Sequence, residues 1–355
     1  MADVYAESSS QSWLQRIGNS VKLTFFGVIL LATASSLLWF NEGFAINNTK
    51  ILRFVKTNAN PLSKPNFNPE NNQKLVYLRG ETIGGKIADE LIFPINAILL
   101  HREVLMFQWT ENRNTHAETK LGGSETTTTH YSYQKEWCDK LKDSSSFRHP
   151  EGHNNPKAFH ISTCTIIAPT VKIGDFTVLN EIISKLGFFA FRDKPQIKPG
   201  LALPLKQGDS PNSFFCGTDP AIPAVGDLKI SYFYVPSKST TSILACQNED
   251  RTLGSFQTPY GDFSKIMNGQ VSLEGMITDQ ANSNSFITWI FRTIGFILML
   301  IGFMLLLKLF VVLGDFIPVL GKLVGRGVFL LSLLLCIVCS LVVITSSWLY
   351  HLGFL

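Results

Sequence analysis

Charge is scarce in this sequence. Only 16% of its 355 residues are Asp, Glu, Lys or Arg, the formal net charge is +4, and no basic block stands anywhere. That excludes the electrostatic footprint of a nucleic-acid binder. Two active-site signatures are also missing: there is neither a Gly-x-Ser-x-Gly elbow nor a complete phosphate-cradling Gly-x4-Gly-Lys-Ser/Thr loop, since Ile87 follows the Gly80 to Lys86 run. From about Ala45 to Asn284 there is no long apolar run, so this stretch reads as a polar domain and not as a membrane anchor. Cysteine is sparse as well. Cys138, Cys164, Cys216 and Cys246 lie in the polar middle, whereas Cys336 and Cys339 lie in the last apolar run. The middle four can form two disulfides in any of three connectivities, or stand as free or buried thiols.

What the chain does have is grease at both ends. Phe286 to Leu355 is almost unbroken apolar sequence, interrupted by Arg292, Lys308, Gly314-Asp315, Pro318, Lys322 and Arg326. A water-soluble core needs no run of that length, but a bilayer does, and in lipid the run must be helical to pair its own backbone groups. Near the other end, Leu23 to Phe40 carries no charge and is long enough for a tilted span. Cationic residues precede it and Glu42 follows, so residues 1–22 are expected on the cytoplasmic side and the chain after Phe40 outside. Apolar sequence continues past Ala32-Thr33-Ala34, which argues for a retained span over a cleaved signal peptide. Met1 to Gln11 is polar and Ser-rich and reads as a loose tail; Trp13, Leu14, Ile17 and Val21 recur at helical spacing, as in an amphipathic helix on the membrane surface or the polar start of the span.

The expected fold class is therefore α+β: transmembrane helices at both ends of a β-rich, mixed extracytosolic domain over residues 41–285. Strands are expected at Lys74–Leu78, Ile98–Trp109, Ala158–Ile167, Lys229–Val235 and Ser242–Ala245, and a helix at Phe176–Leu186. A second span is expected at 286–307 and a last one at 327–350. Between them, 309–324 is a short broken helix, because Gly314 can end a turn, Asp315 can cap the next and Pro318 fits a first turn. If this piece is re-entrant, Lys308, Lys322 and Arg326 all stay cytoplasmic, as charge prefers; if it crosses, the last two end outside.

His149, His153 and His160 form the densest metal-capable group, but Pro150 and Gly152 break the helix that would align them, so a solvated loop is the expectation and no metal or cofactor is predicted. Trp109 with Tyr131, Tyr133 and Trp137 is expected in the domain core. Charge inside the membrane block is costly, so Arg292 either snorkels to the outer headgroups or pairs with Glu42 at the same interface. Asp315, like Asn41 and Glu42, is either a structural group at an interface or part of an ion path.

Several stretches resemble the LUMA family (transmembrane protein 43). They are Ser12-Trp13-Leu14-Gln15-Arg16-Ile17-Gly18-Asn19-Ser20, Trp39-Phe40-Asn41-Glu42-Gly43, Glu103 to Glu111 including Trp109, Gly226 to Ser231, and Asp315 to Gly325 including Pro318. They occur in matching order over nearly the whole chain. Lys308-Leu309 departs from the pattern, where a basic residue followed by proline is expected. The resemblance implies four spans and a large extracytosolic domain. It also implies a non-enzymatic, multi-pass scaffold that associates with itself and with other membrane proteins. In a eukaryote that means the endoplasmic reticulum and inner nuclear membrane of the nuclear envelope, with emerin- or lamin-like partners; in a bacterium, an inner membrane with a periplasmic domain. A channel or transporter subunit and a membrane-tethered extracytosolic hydrolase are the alternatives.

Overall fold

The computed structural model describes residues 3–190, 195–201 and 204–353. Met1 and Ala2 of the expected tail, and Phe354 and Leu355 of the expected apolar run, lie outside the described residues. Contacts divide the chain into a β-rich unit, holding residues 53–112 and 132–278 with Asp3, and a helical unit, holding 4–52, 113–131 and the chain from Asp279 onwards.

In the β-rich unit, the strand Ile95–Thr119 lies antiparallel to Leu228–Pro236, with Val104 opposite Ile230 and Arg102 opposite Tyr232. Ser213–Cys216 and then Leu205–Gln207 extend the sheet from there. A second sheet closes on itself. Leu75–Gly84 pairs with both Ser239–Gln247 and Val171–Ile173, and the ring is completed through Phe176–Val178 and Thr252–Gly254. Closure pairs edges that would otherwise invite aggregation. Ile173, Phe176, Ile243 and Leu253 are all fully buried.

Three local expectations are overturned here. The helix expected over 176–186 is a strand, Phe176–Val178, followed by a single turn, α2 (Asn180–Ile183). The apolar spacing of Ile182, Ile183 and Leu186 is real, and all three are buried, but strand pairing on both sides claims the first residues. Only Cys164–Ile167 of the expected strand 158–167 is extended in a sheet. The N-terminal tail is also a strand, Asp3–Gln11, hydrogen-bonded beside Glu125–Cys138.

The helical unit is built on α1 (Trp13–Asn58) up to Leu52, α3 (Leu273–Leu306) from Asp279, α4 (Lys308–Gly314) and α5 (Pro318–Leu352). At 1.5 Å per residue, the 46 residues of α1 run for roughly 70 Å, more than twice the bilayer's hydrocarbon thickness. The amphipathic stretch from Trp13 is thus continuous with the apolar run, and the helix continues past Phe40 to Asn58. Among the described residues, three helices are long and apolar enough to cross a membrane: α1, α3 and α5. The broken piece expected at 309–324 resolves into α4, of only 7 residues, and the first turns of an uninterrupted 35-residue α5.

α1 and α3 run antiparallel and very close. A Cβ on Gly27 would lie 2.8 Å from the Gly302 carbonyl, and one on Gly295 would meet Leu38 at 2.6 Å. Small residues let helices approach this closely in lipid, where hydrophobicity alone does not drive them together. Ala34, Leu38, Met299 and Cys336 form the buried centre where α1, α3 and α5 meet.

Cys138, Cys164, Cys216 and Cys246 are free, so the disulfide alternative is not realised. Their strands set the reason: Cys216 pairs across to Leu228 and Leu205, Cys164 to Arg102, and Cys246 to Leu75 and Gly254. Burial pushes all four thiols above the ordinary cysteine range. At neutral pH they should alkylate more slowly than free cysteine, because the thiolate is the nucleophile. Denaturation without reductant should expose six reactive thiols, counted by mass spectrometry; only two would mean that the four are bridged.

Candidate functional site

The helical unit carries a polar knot at each end of its apolar core. At the first, Glu42 is completely buried on α1. Arg292 of α3 donates to it twice, from Nε and Nη2, each at 2.7 Å. Trp348 of α5 adds its indole N–H at 2.6 Å, and the Asn41 amide donates at 3.3 Å both to Glu42 and to the Thr288 carbonyl. One carboxylate thus ties three helices. The pairing expected between Glu42 and Arg292 is present, and Arg292 also lies over the rings of Trp289 and Trp348, at 4.8 and 5.8 Å. A bare charge at this depth would be prohibitive, so the bidentate geometry and full set of donors are what make burial tolerable. Gly43, one residue on, leaves room for the His351 imidazole: a Cβ there would sit 2.4 Å from Nε2.

The second knot joins segments far apart in the chain. Arg16, at the end of the first turn of α1, donates to the Gly123 carbonyl at 2.6 Å and to Asp315, and Glu125 lies 3.1 Å away. Trp13 donates its indole N–H to the Val312 carbonyl at 2.8 Å and meets Phe316 edge-on. Gly123 has a positive φ of 78°, and any Cβ there would strike the Trp13 ring. The Gly122 N–H donates to the Phe316 carbonyl. Asp315 is therefore an ion-pair partner in the turn between α4 and α5, while Pro318 opens α5 in its first turn. Residues 113–131, expected within an extracytosolic domain 41–285, belong to the helical unit and meet the N-terminal turn of α1.

The β-rich unit has its own buried ionic group, which sequence reasoning missed. Arg102, 2% exposed, pairs with Asp89 at 2.7 Å and Glu90 at 2.8 Å, and the Tyr232 hydroxyl donates to Asp89 at 2.7 Å. Burial alone would draw the Arg102 pKa down, but the Glu90 bond and the Asp89 charge lift it; burial and the Asp89 bond together hold Tyr232 protonated. The strand register shows why these residues meet, since Arg102 and Tyr232 are cross-strand partners. The only signal in the sequence is an arginine among alternating apolar residues.

Trp109 lies edge-on to His153 under the Lys135 ammonium, and Asn155 bonds both its backbone N–H and its carbonyl. His153 is buried and stacks on Tyr133 at 3.9 Å, so this part of the expected solvated loop is a packed corner. Among the described residues no three His, Cys, Asp or Glu side chains are grouped to hold a metal ion.

Three long apolar helices and a β-rich domain define an integral membrane protein. A family model described as Transmembrane protein 43 matches residues 106–352. The chain belongs to that family, which is not a known enzyme family. It is 28% identical to human Transmembrane protein 43 over 97% of this chain and 88% of the human protein. The rat protein is 27% identical over 96% of this chain and 87% of its own length, and the Drosophila melanogaster homolog is 25% identical over 78% and 74%. No solved structure matches.

Two substitutions test these knots. Arg102→Met strands the Asp89 carboxylate in a buried site and should cost about 3–5 kcal/mol, read from chemical denaturation of the full chain in detergent. Glu42→Arg or Arg292→Glu alone should abolish the monodisperse folded species on gel filtration, and the double swap should restore much of it.

Proposed function

We propose that the protein is a multi-pass membrane scaffold, a rigid helical frame that holds a β-rich domain at a membrane and recruits partners there. One observation carries this reading. The interior of the helical unit is apolar, built on Ala34, Leu38, Met299 and Cys336, and its charged groups pair with one another at the two ends. A conduit needs unpaired or water-facing polar groups along its length. A frame needs its charges spent on holding helices together, as they are here.

The partners we propose are further copies of this chain and other membrane proteins, with the bilayer itself as the common platform. In a eukaryotic cell the compartment would be the endoplasmic reticulum and inner nuclear membrane, and emerin- or lamin-like proteins the associates; in a bacterium, the inner membrane. The second knot bears on sidedness. Ser8 and Thr128 are hydrogen-bonded, and Arg16 touches Gly123 and Glu125, which supports placing residues 120–128 on the same side as the N-terminus.

Crosslinking in native membranes followed by mass spectrometry should return a reproducible set of membrane proteins, including this chain crosslinked to itself. Reconstituted bilayers should show no conductance above that of empty ones. A conductance abolished by Asp315→Asn would replace the scaffold with a channel. In sealed vesicles, Ser8→Cys and Ser124→Cys should label from the same side with an impermeant maleimide.

A further inference from the structure

Beside the first knot there is a cleft that the scaffold reading does not use. It lies between α3 and α5, with Leu38 of α1 among its lining residues, and its volume is about 400 Å³. Trp289, Arg292 and Phe296 recur at helical spacing along one wall, and Leu341, Ile344 and Trp348 along the other. The guanidinium and both indole rings are gathered at one end, where Arg292, Trp289 and Trp348 stand at the level of Glu42, while Phe296, Ser340, Leu341 and Ile344 lie deeper in the span. The cleft thus has a cationic, aromatic mouth and a greasy floor, the layout of an interfacial lipid.

Arg292 is the decisive group. Glu42 engages its Nε and Nη2, which leaves Nη1 outside the carboxylate's grip. The Arg292 side chain is one-fifth exposed, and its guanidinium lies over Trp289 and Trp348. In hydrocarbon an N–H without an acceptor is costly. Glu42 takes one edge of the guanidinium, so the remaining N–H groups suit an acceptor delivered from the headgroup layer, and a phosphodiester oxygen matches guanidinium geometry well.

We propose that this cleft is a specific site for one glycerophospholipid, its phosphate on Arg292 Nη1 between the two tryptophans and one acyl chain along Phe296, Leu341 and Ile344. The volume falls in the range of small-ligand sites, and the chemistry of both ends is that of a two-part, amphipathic ligand. The occupant is a lipid in the bilayer and not free phosphate, because the larger part of the cleft is apolar.

The test uses the full chain in nanodiscs containing a trace of glycerophospholipid with a photoreactive acyl chain. Irradiation should place the label on the peptides that hold Phe296 and Ile344. Ile344→Trp, which fills the floor without touching the Glu42–Arg292 pair, should reduce that labelling about tenfold. Val342→Trp, at an exposed position outside the cleft, should leave it unchanged. Thr293→Phe, which blocks the mouth, gives a second reading should Ile344→Trp fail to fold, judged by circular dichroism and gel filtration. Unlabelled glycerophospholipid should compete, and neither inorganic phosphate nor a single-chain detergent should do so. Label spread evenly over α1, α3 and α5, label unmoved by a folded cleft-filling variant, or equal competition by the detergent would each reduce the cleft to ordinary annular lipid and overturn the proposal.

Discussion

The constraint on which the helical unit depends is the cost of unpaired charge in hydrocarbon. Glu42 is wholly buried on a helix whose apolar run has scarcely ended, and its burial is tolerable only because Arg292, Trp348 and Asn41 all donate to it. Those donors come from α3, α5 and α1. Satisfying one carboxylate therefore fixes which residues of three helices stand at the same height. The other end repeats the logic with the signs exchanged: buried Arg16 gathers Asp315, Glu125 and the Gly123 carbonyl.

Between these ends, distance is set by small residues. Gly27, Gly295 and Gly302 let α1 and α3 touch nearly backbone to backbone, with Leu31 and Leu38 filling the space a side chain would take. Glycine weakens a helix, by roughly 1 kcal/mol against alanine, and three such positions along one seam are a real expense. What offsets it is dispersion contact between closely approaching helices, the main attraction available when the surrounding lipid is as apolar as leucine. The Cys336 thiol adds a contact from α5 to the Phe296 carbonyl in the same layer.

How much of this was legible in the sequence follows from the same physics. The spans were legible because lipid demands long apolar runs, and the Glu42–Arg292 pair because two opposite charges lay at one interface. The connection after Lys308 was legible only in part: Gly314, Asp315 and Pro318 signalled a break, but the sequence did not show that α5 continues unbroken from Pro318. The second knot left no periodic signal, since Arg16 and Asp315 are 299 residues apart and their meeting depends on how helices pack. The strand at Asp3–Gln11 was hidden for a similar reason. Its serines and acids have little β propensity, and it is a strand because the edge of Glu125–Cys138 is there to pair with it. Tertiary context likewise overrode local spacing at Phe176–Val178.

These observations also explain why the polar knots matter more for uniqueness than for stability. A buried ion pair contributes little net free energy once desolvation is counted, and an apolar replacement of like shape can be as stable. In an apolar bundle, however, a helix that slides by one turn exchanges leucine against leucine for leucine against lipid, at almost no cost. Hydrophobicity cannot choose the register. A slid α5 would withdraw Trp348 from Glu42 at one end and draw the turn carrying Asp315 away from Arg16 at the other, leaving two buried charges short of partners. The ionic ends act as stops on an otherwise slippery seam. They sit at the ends because only there are the cost of burying charge and the headgroup water that relieves it both within reach.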